Sequence, residues 1–405
     1  MIEQEIQKLR HFMDRVAGNA VTSIGYPFAK GNNYHELYSL LRYPLINLGD
    51  PFIESNYQVN SFAIEREVVE FFADLFRAPK DDYSGYVTNG GSEGNLYGLY
   101  LAREIYPEGI VYYSSESHYS IPKSIRLLNM KSIEISAGYS GEINYDELEE
   151  SMKQHAHLPV IIAANIGTTM KEAKDDISVI SDMIRKLDIE HYYIHCDAAL
   201  AGVYLPLVEE DPTFDFKKGA DSIACSGHKF IGSPIPCGII VVKKKHVENL
   251  AHQYVSYIGS LDTTIGGSRN GFTPVVLWYT LKQQGRDGLL RSALESLALA
   301  EYTQNMFQEL GISSYRNKNA ITVVFPKPSE FICKKWQLAT REDYAHLICM
   351  PGISKEVIDH FFSDLSKELH AAYPFYIKKT NPFINYTLWK AQHKNYLLKN
   401  LKNLF

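Results

Sequence analysis

Apolar positions along the chain follow two periods. Residues 62–76 (FAIEREVVEFFADLF) carry them at three- and four-residue spacing and stop before Ala-Pro, which predicts a helix. GYVTNGGSEGN (85–95) then reads as a short strand running into a glycine turn, and residues 95–106 continue as a helix. Short β-rich runs recur at IVYYS (110–114), PVIIAAN (159–165), YYIHCD (192–197), DSIACS (221–226) and GIIVVK (238–243). Helical patterns near 118–129, 145–156 and 177–188 separate several of them. Strands alternating with helices predict an α/β fold with a mostly parallel sheet covered on both faces. Ligands bind such sheets at the carboxyl ends of the strands, where Thr88, Ser114, Asn165, Asp197 and Ser226 fall.

Past Gly271 the texture changes. Two helical stretches (273–284 and 288–311), AITVVFP (320–326), HLICM (346–350) and a helix near 354–370 suggest a smaller α+β unit. The expected organisation is an N-terminal segment (1–60), a large domain (61–272) and a small C-terminal domain (273–405). The first part holds a helix and a Gly/Pro/Asn/Tyr-rich stretch expected to wrap against a partner or the active site. The tail beyond Pro382 is amphipathic and basic.

Composition narrows the classes. A chain of 405 residues exceeds one ordinary core, and 45% hydrophobic with 22% charged residues excludes disorder. A net charge of −6 lacks the basic footprint of a nucleic-acid binder. No apolar run approaches bilayer-spanning length, and MIEQEIQKLRHFMDRV lacks the apolar stretch of a signal peptide, so no membrane partner and a cytoplasmic location are expected. The five cysteines (Cys196, Cys225, Cys237, Cys333 and Cys349) form no CxxC pair and sit mostly in apolar runs. They read as buried thiols rather than as a disulfide framework or a zinc site. His155 and His157 have no matching ligands, and no metal is expected.

Four short segments carry candidate chemistry. In SGHKFIGSPIPCG (226–238), Lys229 follows a strand, where partial burial lowers a lysine pKa and frees the amine for a Schiff base. Ser226 and His228 beside it are candidate partners of a phosphate oxygen. In HCDAALAG (195–202), Asp197 ends a strand before small residues that admit a planar ligand. A carboxylate beneath a pyridine nitrogen keeps it protonated. In TNGGSEGN (88–95), the glycines and the helix start near Ser92 suit an anion, held by Gly91 and Ser92. In SSESHYSIPKS (114–124), His118 is placed to stack on a planar group. Each also has an ordinary reading: a surface lysine, an N-cap aspartate, a strand-to-helix turn, a capping histidine. Together, in this order, they describe a pyridoxal 5′-phosphate (PLP) site.

The chain resembles the group II PLP-dependent amino-acid decarboxylases, histidine/serine branch. The likeness runs through GYVTNGGSEGNLYG, SHYSIPKSIRLL, NIGTTMKEAKDDI, YYIHCDAALAG, DSIACSGHKFIGSPIPCGI, GSRNG, ISSYRNKNAITVVFP and WQLATREDYAHLICMPGISKEVIDHF, covering about residues 40–370. It implies a fold-type I, aspartate-aminotransferase-like architecture with a mostly parallel seven-stranded sheet. It implies Lys229 as the cofactor lysine, Asp197 under the pyridinium nitrogen and His118 on the ring face. Gly91, Ser92, Ser226 and His228 would hold the phosphate, with Asn165, Thr168 and Ala199 beside the ring. It further implies a homodimer in which the loop 254–270 closes over the site. Gly267 and Ser268 would then reach a partner's phosphate, and Tyr257, or alternatively His118, would act as proton donor to the carbon left by CO2.

Two substrates compete within this branch. IGYPFAKGNNY and SYRNKNAITVVFP resemble bacterial enzymes that turn L-histidine into histamine. NLGDPFIESNY and LWYTLKQQG look like the plant branch that turns L-serine into ethanolamine. The histidine reading is preferred. Phe272 departs from the resemblance, standing where the family usually has histidine. Tyr257 argues against diversion to an aldehyde, and the absence of an identifiable arginine clamp argues against aminotransfer. A non-catalytic relative would have lost Lys229, Asp197 or His118, and all three are present.

Overall fold

The computed structural model describes residues 2–248, 250 and 254–372. Helix α1 (Glu3–Thr22) leads through strand β1 (Ile46–Leu48) to α2 (Phe62–Leu75). The α2 face that buries Val68, Val69, Phe72 and Ala73 is the one its spacing predicts. There follow β2 (Tyr83–Thr88), α3 (Gly91–Ile105), β3 (Ile110–Ser114), α4 (Ser120–Leu127), β4 (Lys131–Ile135), α5 (Tyr145–Gln154) and β5 (Val160–Asn165). Then come α6 (Ile177–Lys186), β6 (Tyr192–Asp197), α7 (Leu205–Val208), β7 (Ser222–Ser226) and β8 (Gly238–Lys243). Asn144 and Asp176 cap α5 and α6 by accepting backbone N–H bonds, which places those helix starts.

Strands β2 to β8 form one seven-stranded sheet in the order β2-β8-β7-β6-β5-β3-β4. Only β8 runs antiparallel to its neighbours, so the mostly parallel α/β sheet expected from the sequence is found. All six residues of β5 are buried, as in a strand covered on both faces. Along β6, Ile194 and Cys196 join the core on one face and Tyr193 joins the smaller core beneath α3 on the other. Strand β4 (KSIEI) is an edge strand with only Ile135 buried. It lacks a continuous apolar run, which is why its sequence does not announce it.

After the short helix α8 (Lys244–Glu248) come three short strands, β9 (Tyr254–Val255), β10 (Ser260–Leu261) and β11 (Ser268–Asn270). The helical stretch α9 (Phe272–Glu309) breaks at Gly285, between the two helices read from the sequence. Strand β12 (Thr322–Pro326), helix α10 (Glu330–Lys335), β13 (Ala339–Arg341), β14 (Tyr344–Ile348) and α11 (Lys355–Ala372) complete the described chain. β12, β14 and β13 form a separate antiparallel sheet, packed through Phe307, Phe325, Phe361 and Phe362. The tail beyond Pro382 lies outside the described residues.

Two long-range ties frame the sheet's carboxyl edge. The stretch after α1 lies over the loop that follows β7: Ala29 N–H donates to Lys229 O (3.0 Å), and Asn32 Nδ2 donates to Ile231 O (2.7 Å). β1 pairs with β11, and Glu65 of α2 forms a fully buried ion pair with Arg269 of β11. Arg269 also donates to Gly49 O (3.0 Å) and lies over the Tyr86 ring, while Glu65 accepts from Asn47 Nδ2 and Val87 N–H. Breaking a buried pair leaves its partner charge uncompensated. Arg269→Leu is therefore expected to cost about 3–5 kcal/mol, measured as a lowered denaturant midpoint of the apoprotein; an unchanged midpoint would contradict this.

Candidate active site

Strand register assembles the site. Asn165 and Asp197 are level at the ends of β5 and β6, and Thr88 and Ser226 are both level with Gly238 of β8. Helix α3 comes down onto this edge along Gly91, Gly94, Asn95 and Gly98, all buried at helical spacing. A Cβ on Gly91 would stand 2.7 Å from Ser226 Oγ, and one on Gly98 would overlap the His195 ring. Only glycine lets the helix approach so closely.

Asp197 is buried at the end of β6. Its Oδ2 accepts from Asn95 Nδ2 (2.8 Å) and its Oδ1 from Ala199 N–H (3.2 Å). Asn95 Nδ2 also donates to Ser120 Oγ (2.9 Å), which lies 2.8 Å from His118 Nδ1. Behind Asp197 on the same face of β6, His195 Nε2 is 3.0 Å from Asn95 Oδ1 and Nδ1 is 2.8 Å from Ser222 Oγ. Burial holds His195 down at about 4, against the pull of Asp197.

Burial also lowers the Lys229 amine below the ordinary lysine value, while the Asp197 and Glu172 carboxylates draw it back up. Burial lowers His118 too; Lys229 and Lys123 add to that, and Asp197 opposes it. Asp197 thus acts on both Lys229 and His118, which groups the three at one sheet edge.

The turn before α3 forms an anion cradle. Gly90 caps the helix with φ 149°, and the first helical bonds run from Glu93 and Gly94 N–H to Gly90 O. The N–H groups of Gly91 and Ser92 precede them at the positive end of the helix. Glu93 turns back to accept from Asn89 N–H (2.9 Å) and Tyr86 OH (3.1 Å), away from the cradle. Ser226 Oγ and Ala199 lie against Gly91, and the His228 ring lies near Gly90. His228 Nδ1 is 2.8 Å from Cys237 O, and burial lowers its pKa.

Asn165 and Thr168 stand at the same edge with their side chains engaged locally. Asp175 Oδ2 accepts from Asn165 N–H and Nδ2, burial pushes Asp175 up to about 6, and Thr168 Oγ1 accepts from Ala173 N–H. Three expected residues are not brought in within the single chain. Tyr257 is 77% exposed, and Gly267 and Ser268 are exposed, Ser268 in a groove shared with Asn89 and Phe272. Phe272 packs in the cluster of Leu37, Val275 and Val276. All five cysteines are buried and free. A separate cleft lined by Glu142, Lys174, Glu209 and Asn317 contains none of these residues, and no potential metal cluster occurs among the described residues.

Asn95, Ser120, His195 and Glu172 escaped the motif reading. Two signals pointed to the first and third: Asn95 lies on the glycine stripe, and period two places His195 on the face of Asp197. Glu172 accepts from Tyr204 OH, Ile321 N–H (3.1 Å) and Thr322 N–H (2.8 Å), joining the loop after β5 to the start of β12.

A lysine with a lowered pKa, a buried carboxylate and a helix-terminal anion cradle fit the aldehyde, ring nitrogen and phosphate of pyridoxal phosphate. Glycine at 91 keeps clear the space beside Ser226 Oγ that a Cβ would fill. These features at the edge of a mostly parallel sheet define a fold-type I PLP enzyme. Residues 48–325 match the pyridoxal-dependent decarboxylase conserved domain, and the chain belongs to that family. It is a PLP-dependent carboxy-lyase. Over 343 residues it is 46% identical to a histidine decarboxylase of Mesorhizobium japonicum, covering 85% of this chain and 92% of that protein. It is 41% identical over 345 residues to serine decarboxylase 3 of Oryza sativa subsp. japonica, covering 85% and 77%. Its fold matches L-methionine decarboxylase from Streptomyces sp. 590 at a TM-score of 0.84 and 25% identity, covering 91% and 95%.

The pH dependence of folding tests the buried imidazole. His195 stays neutral in the folded state down to about 4, and titrates near 6.5 when exposed. The unfolded chain therefore takes up its proton first as pH falls, and stability is lost between those values. His195→Gln, which keeps a donor and an acceptor but cannot titrate, is expected to lose less stability than wild type between about pH 7 and 4, by up to about 3 kcal/mol. Parallel pH–stability curves for the two apoproteins would refute neutral burial.

Proposed function

We propose that this protein decarboxylates L-histidine to histamine and CO2. The observation that carries the substrate is the 46% identity, over nearly the whole length, to a histidine decarboxylase. The serine decarboxylase relative at 41% favours the second reading, L-serine to ethanolamine.

When bound, PLP supplies the electron sink that stabilises the carbanion left by CO2. The protein's part is orientation and electrostatics. Lys229 holds the cofactor, and its lowered pKa keeps a neutral amine available. Asp197 would pair with the ring nitrogen and keep it protonated. His118 would lie on the ring face and help place the substrate. Gly91, Ser92, Ser226 and His228 would hold the phosphate, with Asn165, Thr168 and Ala199 bordering the ring. Gly267 and Ser268 would reach the phosphate of a second copy, and Tyr257 would return the proton to the substrate carbon there. Their exposure in the single chain supports that assignment.

A homodimer also accounts for α1. None of its described residues is buried, and Leu9, Phe12, Met13, Val16 and Val21 are exposed, an apolar surface that calls for a covering partner. No helix among the described residues is long and apolar enough to cross a membrane. We assign the enzyme to the cytoplasm.

Two measurements test this. The purified protein, supplied with PLP and the common L-amino acids, is expected to yield histamine by mass spectrometry. Ethanolamine would select the serine reading. No amine at all, with the visible band of the lysine-linked cofactor intact, would sink both. Asp197→Asn is expected to lower kcat at least ~100-fold, about 3 kcal/mol of lost transition-state stabilisation; a near-wild-type rate would remove Asp197 from its role.

A further inference from the structure

We propose that Asn95 is a positioning residue, resting on the roles assigned above to Asp197 and His118. Its carboxamide joins the two into one hydrogen-bonded unit and sets which nitrogen of His118 carries the proton.

The donors and acceptors leave little choice. An ionised Asp197 only accepts, so the Asn95 atom facing its Oδ2 at 2.8 Å is the amide nitrogen. Asn95 Oδ1 then faces His195 Nε2 at 3.0 Å and must receive its proton. A neutral His195 accepts at Nδ1, from the Ser222 hydroxyl. The second amide proton of Asn95 goes to Ser120 Oγ (2.9 Å), which leaves the Ser120 hydroxyl proton free to donate to His118 Nδ1 (2.8 Å). The Ser120 backbone N–H also points at that nitrogen, at 3.3 Å. Two donors on Nδ1 exclude a proton from it. Neutral His118 therefore carries its proton on Nε2, the nitrogen outside the relay.

Asn95, Ser120, His195 and Ser222 are all buried, a low-dielectric setting in which each of these bonds counts for more than in water. Of the charges facing His118, Asp197 favours its cation, while Lys229 and Lys123 oppose it. The Tyr119 ring covers it at 4.1 Å. None of these distinguishes the two ring nitrogens by a hydrogen bond; the relay does.

The tests are Ser120→Ala, which removes the hydroxyl that links Asn95 to His118, and Asn95→Leu, which removes every bond of the carboxamide but leaves the Ser120 hydroxyl beside His118. The first readout needs no cofactor: the His118 titration in the apoprotein, followed by NMR. Losing one hydrogen bond to the neutral form should raise its midpoint by about half to one pH unit in Ser120→Ala; the Asn95 N–H left without its acceptor should lower the melting temperature, so the titration is read well below that transition. In the holoenzyme, the acid limb of kcat/KM should move up by a similar amount. Asn95→Leu should bind PLP about tenfold more weakly, measured by the visible band, because Asp197 loses a donor, and should move the His118 midpoint less than Ser120→Ala does, because the Ser120 hydroxyl remains. A His118 midpoint unchanged in folded Ser120→Ala overturns the relay. So does wild-type PLP affinity in Asn95→Leu. If no amino acid yields an amine but the His118 midpoint shifts as expected, the function proposed above fails and the relay stands.

Discussion

A carboxylate in a place closed to water orders this end of the molecule. Taking an ionised carboxylate out of water costs several kcal/mol unless donors replace the water. Asp197 meets that cost with Asn95 Nδ2 and Ala199 N–H. The first donor lies on α3, so the helix must come close to the sheet. That is possible because the rest of its facing stripe is glycine, with Gly98 making room for the very imidazole that orients Asn95. The same approach brings the N-terminus of α3 beside Ser226 and forms the anion cradle. Carboxylate and cradle thus share one cause, the spacing between α3 and the strands beneath it.

The lysine faces opposed demands. Burial favours its neutral amine, whereas Asp197 and Glu172 favour its cation. A nucleophile that must form and release a covalent link benefits from lying between those limits. Glu172 adds a connection beyond the large sheet, because it accepts from the backbone at the start of β12. The electrostatics of Lys229 are therefore tied to the seating of the second sheet.

Period and punctuation made most of the fold legible: β3, β6 and β8 begin and end where their runs do, and Gly285 divides α9 where two helices were read. Asp197 stood out because it ends a strand, Lys229 and His118 because each lies just past one. What stayed hidden has physical reasons. β4 is half polar because it lies at an edge, so its composition resembles a loop. β1 and β11 are three residues each and exist only by pairing across most of the large sheet's chain length, which no local window sees. Asn95 sits in a glycine run, where asparagine reads equally well as turn chemistry. Gly267, Ser268 and Tyr257 are exposed at the surface of the single chain, away from the residues that the sheet edge brings together.

The two faces of β6 carry the last step. A strand covered on both sides ordinarily reads as a continuous apolar run. On β6, Ile194 and Cys196 keep that rule on one face, while His195 and Asp197 break it on the other. Nothing in packing favours this, since an imidazole and a carboxylate in a dry layer each need partners that leucine or valine would not. Those partners come from Ser222 on the next strand and Asn95 on the covering helix, so three elements carry polar side chains for the sake of one carboxylate. Polar residues at period two in a fully buried strand mark the face where chemistry, rather than stability, set the sequence.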